Sequence, residues 1–366
     1  MIKRISISAG IFVLLALLTS TIIGCCTFSG PNYMGEKSDH FDGEQFHNLQ
    51  PIEQHGLWDL VKWNLNRDRG YWEDWIPDSP GPPPPERVGM GELLITFIGH
   101  STVLVQADSI NMLTDPIWSD RASPVDGFGP HRKRPPGIRF EDLPPIDLVM
   151  VSHNHYDHLD LHTLEMLRKD HDPQFLVPLG NRALLEENDI NRVEEMDWWD
   201  SIPFRHMDIH LVPAQHFAMR GTCDRNTTLW GGFVMMTEGG PVYFAGDTGY
   251  GPHFKMINER FGPMRFSMLP IGAYRPRWFM KPVHTSPAEA VDAHIDVESR
   301  KSMGIHFGTF IQADDGRLES IIDLKDALYE KKIDFGEFIL PRHGKGVMIA
   351  PLGESRKTAE SAKNTE

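Results

Sequence analysis

Seven residues, Ser152-His153-Asn154-His155-Tyr156-Asp157-His158, constrain this chain more than any other stretch. They follow Asp147-Leu-Val-Met-Val-Ser152, an apolar run with the length and branching of a buried strand, and they precede a helical pattern from Leu161 to Lys169. Three imidazoles and one carboxylate fall within the six residues from His153 to His158. That donor set suits a borderline-soft divalent cation such as zinc. His153 and His155 can point the same way across a short turn, whereas Asp157 and His158 open the next helix on another side. One loop can therefore feed two adjacent metal ions. A polar surface loop that is merely His-rich is the alternative, and neither the spacing nor the strand–loop–helix setting favours it.

The rest of the chain offers a scaffold for such a loop. From Glu92 onward, Leu93–Ile98, Thr102–Gln106 and Ile110–Leu113 are short β-rich runs separated by turn residues. Further strands are predicted near Phe175–Val177, Ile209–Val212, Gly232–Met236, Val242–Ala245, Phe266–Leu269 and Lys301–His306. Helices are predicted at 181–188, 252–260, 287–298 and 317–330, the third with Ser286, Pro287 and Glu289 as its start signal. Hairpin strands that later alternate with helices predict two mixed sheets flanked by helices, in one α/β domain over residues 91–350. Hydrophobic residues are 40% of the chain, enough to fill that core. Residues 25–90 read as a tether and packing segment: 27–57 is polar and aperiodic, Leu57–Trp63 has helical apolar spacing, and Pro82–Pro85 marks a stiff connector. Residues 351–366 are predicted to be a disordered tail.

The first 24 residues stand outside this fold. Lys3 and Arg4 precede an uncharged stretch whose apolar core, Ile11–Leu18, is short for a membrane span and fits a secretory signal. Ile22-Ile23-Gly24-Cys25 resembles the lipobox of bacterial lipoproteins, which implies a signal peptide over 1–24 and lipidation of Cys25; an uncleaved signal anchor is the alternative. Cys26, where a retained lipoprotein would carry Asp, resembles an outer-membrane sorting signal. The expectation is a bacterial envelope protein, lipid-anchored and extracytoplasmic, facing the periplasm from the outer membrane. Losing Lys3 and Arg4 takes the net charge from −15 to −17, so acyl chains rather than basic residues would do the anchoring. The same acidity argues against a nucleic-acid partner. Cys223 is expected to be an isolated thiol, buried as a small hydrophobe.

The His-x-His-x-Asp-His pattern at 153–158 resembles that of the metallo-β-lactamase fold superfamily, and other segments extend the likeness. Gln215-His216 follows a strand, Phe244–Tyr250 puts Asp247 at a strand end, and Gly304–Gly308 supplies His306. A narrower likeness lies in Phe97–Leu104, Leu113–Ile117, Asp197–Trp199, Leu229–Gly231, Ile271–Met280 and Lys301–His306. These segments resemble the N-acylphosphatidylethanolamine-hydrolysing phospholipase D-like family, over roughly Glu92 to Gly346. The resemblance implies a metallo-β-lactamase-type αββα sandwich. It also implies one zinc ion on His153, His155 and His216, a second on Asp157, His158 and His306, and Asp247 bridging them.

Asp115 resembles the carboxylate that supports a ligand histidine from behind and fixes its tautomer; a plain turn role before Pro116 is the alternative. Tyr156 and His284 sit where the family contacts substrate. Val283 is apolar where the animal enzyme has a polar residue, and His343-Gly344-Lys345 departs from His-Gly-Glu. Those departures bear on the substrate and leave the metal ligands untouched. His343 can bind phosphate or a leaving group, or can be structural; His100 reads as structural.

The chemistry implied is phospholipase D-type hydrolysis. A hydroxide shared by two zinc ions attacks phosphorus, and an N-acylphosphatidylethanolamine-like lipid yields phosphatidic acid and N-acylethanolamine. Asp157 would orient the nucleophile. No Gly-x-Ser-x-Gly elbow offers a serine instead. The expected partners are a phospholipid or other phosphodiester and the membrane, with a homodimer left open. Hydrolysis of a lactone or small soluble phosphodiester, or a non-catalytic metal-binding envelope role, are the competing functions. Arg275–Lys281 mixes three cations with Trp278, Phe279 and Met280, either as a lipid-headgroup edge or as a packed loop.

Overall fold

The structure is a computed structural model that describes residues 28–125 and 127–353; the predicted signal peptide, Cys25 and the tail from residue 354 lie outside them. A short helix, α1 (Leu57–Leu65), precedes the sheets. The first three predicted strands form an antiparallel meander of β1 (Leu93–Gly99), β2 (Thr102–Ala107) and β3 (Ile110–Thr114). Parallel strands β4 (Leu148–Met150), β5 (Gln174–Pro178) and β6 (Val193–Met196) extend it, linked through α2 (Leu161–His171) and α3 (Arg182–Glu186).

The second sheet repeats the scheme. Antiparallel β7 (Ser201–Phe204), β8 (Met207–Val212), β9 (Gly232–Thr237) and β10 (Gly240–Phe244) are followed by parallel β11 (Phe266–Pro270), β12 (Ser302–Ile305) and β13 (Phe338–Ile339). The crossovers carry α4 (His253–Phe261), α5 (Arg277–Met280), α6 (Pro287–Asp296) and α7 (Glu319–Lys331). Parallel neighbours need long crossovers, so the helices fall in the parallel half of each sheet. Strand β14 (Gly346–Met348) returns to pair with β1, giving seven strands in each sheet.

Side-chain alternation explains why β1 to β4 are buried along their whole length. Val103, Val105 and Met112 face the second sheet's Ile209, Leu211, Phe233 and Met235 in the main core. Their neighbours Leu104 and Leu113 join Leu164 and Leu167 of α2 in an outer core. The predicted start of α6 is present: Ser286 Oγ accepts the Glu289 N–H and the Glu289 carboxylate accepts the Ser286 N–H.

Four expectations change. The 27–57 stretch is not a loose tether where it is described, because Phe41 and Phe46 are buried in the main core and His40 stacks on Trp198 with ring centroids 4.5 Å apart. It forms an irregular arm, and an arm without helix or strand shows no hydrophobic period. Helix α1 forms but buries only Trp63, leaving Leu57, Trp58 and Leu65 75%, 82% and 80% exposed. Cys223 is exposed and disulfide-bonded rather than a buried isolated thiol; the chain's other two cysteines lie outside the described residues. At the other end, Leu352 is held by its N–H to Gly239 O, so the tail begins later than residue 351. Among the described residues no helix is long and apolar enough to cross a membrane.

Candidate metal centre

The strands deliver their following residues to one edge of the sandwich. The His153–His158 loop leaves β4, Asp247 stands just beyond β10, His306 directly follows β12, and His216 lies four residues past β8. Gly246 permits the approach of β10 to the histidine loop: it takes φ +60°, and a Cβ there would lie 2.6 Å from Ser152 Cβ. His100, Asp115 and His306 adopt positive φ of 55°, 35° and 57°, a conformation that costs non-glycine residues about 1–3 kcal/mol each and clusters at functional sites.

Two groups of donors meet there. His153 Nε2 is 2.8 Å from His155 Nδ1, and His216 Nε2 is 3.4 Å from the same atom. Asp157 Oδ2 lies 3.1 Å from His158 Nε2 and 3.4 Å from His306 Nε2. Asp247 Oδ2 faces both groups, 3.3 Å from His158, 3.1 Å from His306 and 3.8 Å from His216. His158 Nε2, His306 Nε2 and Asp247 Oδ1 are buried without a hydrogen-bond partner. Buried polar atoms are rarely left so, and nitrogen and carboxylate donors converging on one space fit metal ions.

The ionisation states suit that use. Burial, with the neighbouring histidines, drives His153 well below the ordinary imidazole value; burial does the same to His216, and it brings His155 to about 4. All three are neutral donors at pH 7. Burial opposes ionisation of Asp157 and Asp247, but the histidines around them outweigh it and hold both carboxyls well below their usual range. Burial also disfavours charge on His158 and His306, yet Asp247 and Asp157 raise the first strongly and Asp247 raises the second to about 9. Metal ions in the centre would take the place of those protons.

Buried neighbours fix the ligands. Asp115 accepts from the Ser152 N–H at 2.7 Å, the Ser152 hydroxyl at 2.6 Å and His158 Nδ1 at 2.6 Å, which leaves His158 Nε2 for the centre. Sequence reasoning missed His100 and Gln312, whose Nε2 atoms lie 2.7 and 2.6 Å from Asp157 Oδ2. His100 sits where a buried turn between strands was legible, whereas nothing in the sequence marks Gln312. It also missed Asn48, which hydrogen-bonds the main chain of His216.

The expected substrate contacts separate in space. His284 belongs with the cluster, its Nδ1 3.9 Å from Asp247 Oδ2 and its pKa lowered to about 4 by burial. Tyr156 donates its hydroxyl to Phe28 O at 3.3 Å and lines a cleft of about 790 Å³ with Phe28, Asp160 and Arg220. The contacts of His343 are with Phe97 and with Arg134, whose guanidinium is 3.2 Å from its Nε2. In the 275–281 loop Arg275 pairs with Asp323 and Arg277 with Glu289, while Phe279 stacks on Trp63, so packing accounts for most of it.

Comparison with known proteins agrees with this geometry. The family model "Beta-lactamase superfamily domain" matches residues 110–307. The N-acyl-phosphatidylethanolamine-hydrolyzing phospholipase D 1 of Caenorhabditis elegans is 42% identical over 250 residues, covering 65% of this chain and 69% of that protein. Outer membrane protein RomA of Klebsiella pneumoniae is 39% identical over 102 residues, 28% of this chain and 75% of that one. Among solved structures, the isothiocyanate hydrolase from Delia radicum gut bacteria matches in fold with a TM-score of 0.58 at 18% identity, over 71% of this chain and 100% of that one.

Proposed function

Since the chain belongs to the beta-lactamase superfamily and, within it, to the N-acylphosphatidylethanolamine-hydrolysing phospholipase D-like family, we propose that it is a dizinc phosphodiesterase of phospholipase D type. The observation that carries this reading is the position of Asp247 Oδ2, within 4 Å of ligand nitrogens from both donor groups. Its substrates would be N-acylphosphatidylethanolamine-like lipids, giving phosphatidic acid and N-acylethanolamine. Two zinc ions, when bound, would supply Lewis acidity toward the phosphoryl oxygens and acidify a water.

The chain's own residues do the rest. Asp115 holds His158 in the tautomer that turns Nε2 inward. Asp157, kept ionised, can accept a hydrogen bond from the attacking water and aim it. His284, neutral and without a hydrogen-bond partner at Nδ1, is placed to meet a phosphoryl oxygen beside Asp247. The cleft at Tyr156 offers room for the remainder of a lipid, with Phe28, Val125, Leu161 and Leu184 among its apolar walls.

A place in the bacterial envelope, lipidated at Cys25, goes with this reading. Its supports are the leader sequence and the likeness to RomA. The test uses the zinc-loaded chain with N-acylphosphatidylethanolamine in mixed micelles, with phosphatidic acid followed by mass spectrometry. Phosphatidic acid from the intact chain and none from an Asp247→Ala blank is the expected result. No product from protein carrying two metal equivalents would overturn the lipid substrate and direct the search to soluble phosphodiesters and lactones.

A further inference from the structure

Of the seven ligand residues, His216 is the one whose connection between strands contains no helix. Asp247 and His306 stand at the ends of β10 and β12, and the four ligands at 153–158 share the loop that leaves β4. His216 lies four residues past Val212, and the next strand begins only at Gly232. Its side chain is fixed, since Nδ1 donates to Val283 O at 3.0 Å and so leaves Nε2 as the ligand atom. Its main chain is fixed from another quarter, the N-terminal arm. Asn48 Nδ2 donates to His216 O and the His216 N–H donates to Asn48 Oδ1, both at 2.9 Å. One side-chain amide thus pairs with both polar groups of His216, as a neighbouring strand would.

The arm also grips the far end of the same loop. Gly30 N–H donates to Asp224 Oδ2 at 2.8 Å, Tyr33 N–H to Thr227 O at 3.0 Å and Phe46 N–H to Asn226 O at 2.8 Å. Phe46, two residues before Asn48, is fully buried in the main core, so the clamp is rooted in the fold.

We propose that Asn48 is a positioning residue for the metal site of His153, His155 and His216, and that the N-terminal arm is a working part of the centre rather than a spacer. The inference rests on the metal-centre reading. A main chain freed at His216 would let Nε2 move relative to His155 and Asp247, while the Asp157, His158 and His306 group keeps its own supports. The consequence is selective: loss of Asn48 weakens one of two metal-binding steps.

The experiment uses the full chain stripped of metal, titrated with cobalt(II) chloride and followed by its visible absorption. Amide hydrogen exchange at His216 is measured in parallel on the metal-free protein. Asn48→Ala is expected to weaken one cobalt step roughly 10–100-fold, the usual effect of removing a residue that supports a ligand, and to leave the other unchanged. Exchange at the His216 amide is expected to speed up. Asn64→Ala, whose side chain bonds only within exposed α1, is expected to change neither. If Asn48→Ala fails to fold, Asn48→Asp is read the same way: it keeps the acceptor for the His216 N–H, loses the donor to its carbonyl, and should give a smaller weakening.

Unaltered cobalt steps together with unaltered His216 protection in a folded variant would overturn the proposal. So would equal weakening of both steps with a lowered Tm, the mark of a merely structural residue. A wild-type chain that binds no cobalt would sink the metal-centre reading, and the exchange comparison would still decide whether Asn48 fixes His216.

Discussion

The two donor groups of the centre are built by different means. Of Asp157, His158 and His306, the last directly follows β12, and buried side chains back the other two, Asp115, next to the end of β3, behind His158 and His100 with Gln312 behind Asp157. His153 and His155 share the same loop, but their third partner, His216, is held by an arm more than 160 residues away in sequence. The sandwich alone therefore builds one half of the centre. The other half is completed by chain that lies outside the sheets.

Asp247 is common to both halves, so its loss tests whether they form one centre. Asp247→Ala is expected to lower metal content on both sides and to reduce the proposed phosphodiester hydrolysis by roughly 10³-fold or more, several kcal/mol of charge stabilisation. Metal analysis after gel filtration, alongside product formation, checks it. Wild-type affinity retained by either half would separate them. Phe46→Ala reaches only the arm-held half. Removing this buried ring should cost about 3–5 kcal/mol of stability in urea denaturation and weaken the cobalt step that needs His216. Phe175→Ala, in the outer core under α2, should cost as much and leave both cobalt steps alone. If the two variants weaken metal binding alike, the arm has no special bearing on the centre.

Asp115→Asn sharpens the contrast from the strand-held side. The amide keeps the shape but cannot accept from Ser152 N–H, Ser152 Oγ and His158 Nδ1 as the carboxylate does. The larger loss, roughly 10–100-fold, is expected in the cobalt step that Asn48→Ala leaves unchanged, with a smaller one in the His153 step, because the Ser152 hydroxyl held by Asp115 also bonds His153 Nδ1 at 2.9 Å. Cobalt titration of the Asn48→Ala/Asp115→Asn double variant should show both steps weakened. If both substitutions weaken the same step most, the division into halves is wrong.

What the sequence disclosed follows the same line. The strands of the two central meanders and the helices over 161–331 other than the four-residue α5 were legible, because each carries its own period or cap, as Ser286 and Glu289 do for α6. Edge strands were not. β6 (Val193–Met196) holds two glutamates and β7 (Ser201–Phe204) a serine and a proline, and a half-exposed edge does not select for β-branched residues. Among the site residues, those in the strand–loop–helix motif were legible by spacing, while His216, Asp247 and His306 needed a family likeness to assign. Asn48 and Gln312 could not be found either way. Each acts through tertiary contact across more than 150 residues, and nothing in its local sequence marks it.

The smallest effect separates the halves by pH. His253 is buried behind the arm-held half, with Nε2 3.1 Å from Thr248 Oγ1, the hydroxyl oxygen that also accepts the Gln215 N–H. Burial lowers its pKa to about 3. His343, largely buried against Phe97 on the other side, is lowered to about 3 by burial and then by Arg134 and Arg132. Both have folded values below the unfolded value near 6.5, so the unfolded chain binds more protons between about pH 6.5 and 3. Their contribution to stability is therefore complete above about pH 7 and is lost as the pH falls through that window. Between pH 7 and pH 5 each should cost about 2 kcal/mol. Urea denaturation at both pH values should show His253→Gln and His343→Gln each losing about that much less than the wild type. Amide exchange then tells the two apart: acidification to pH 5 should loosen Gln215 in the wild type and in His343→Gln but not in His253→Gln. Acid sensitivity that is the same in all three proteins would mean that neither imidazole is held neutral by its burial.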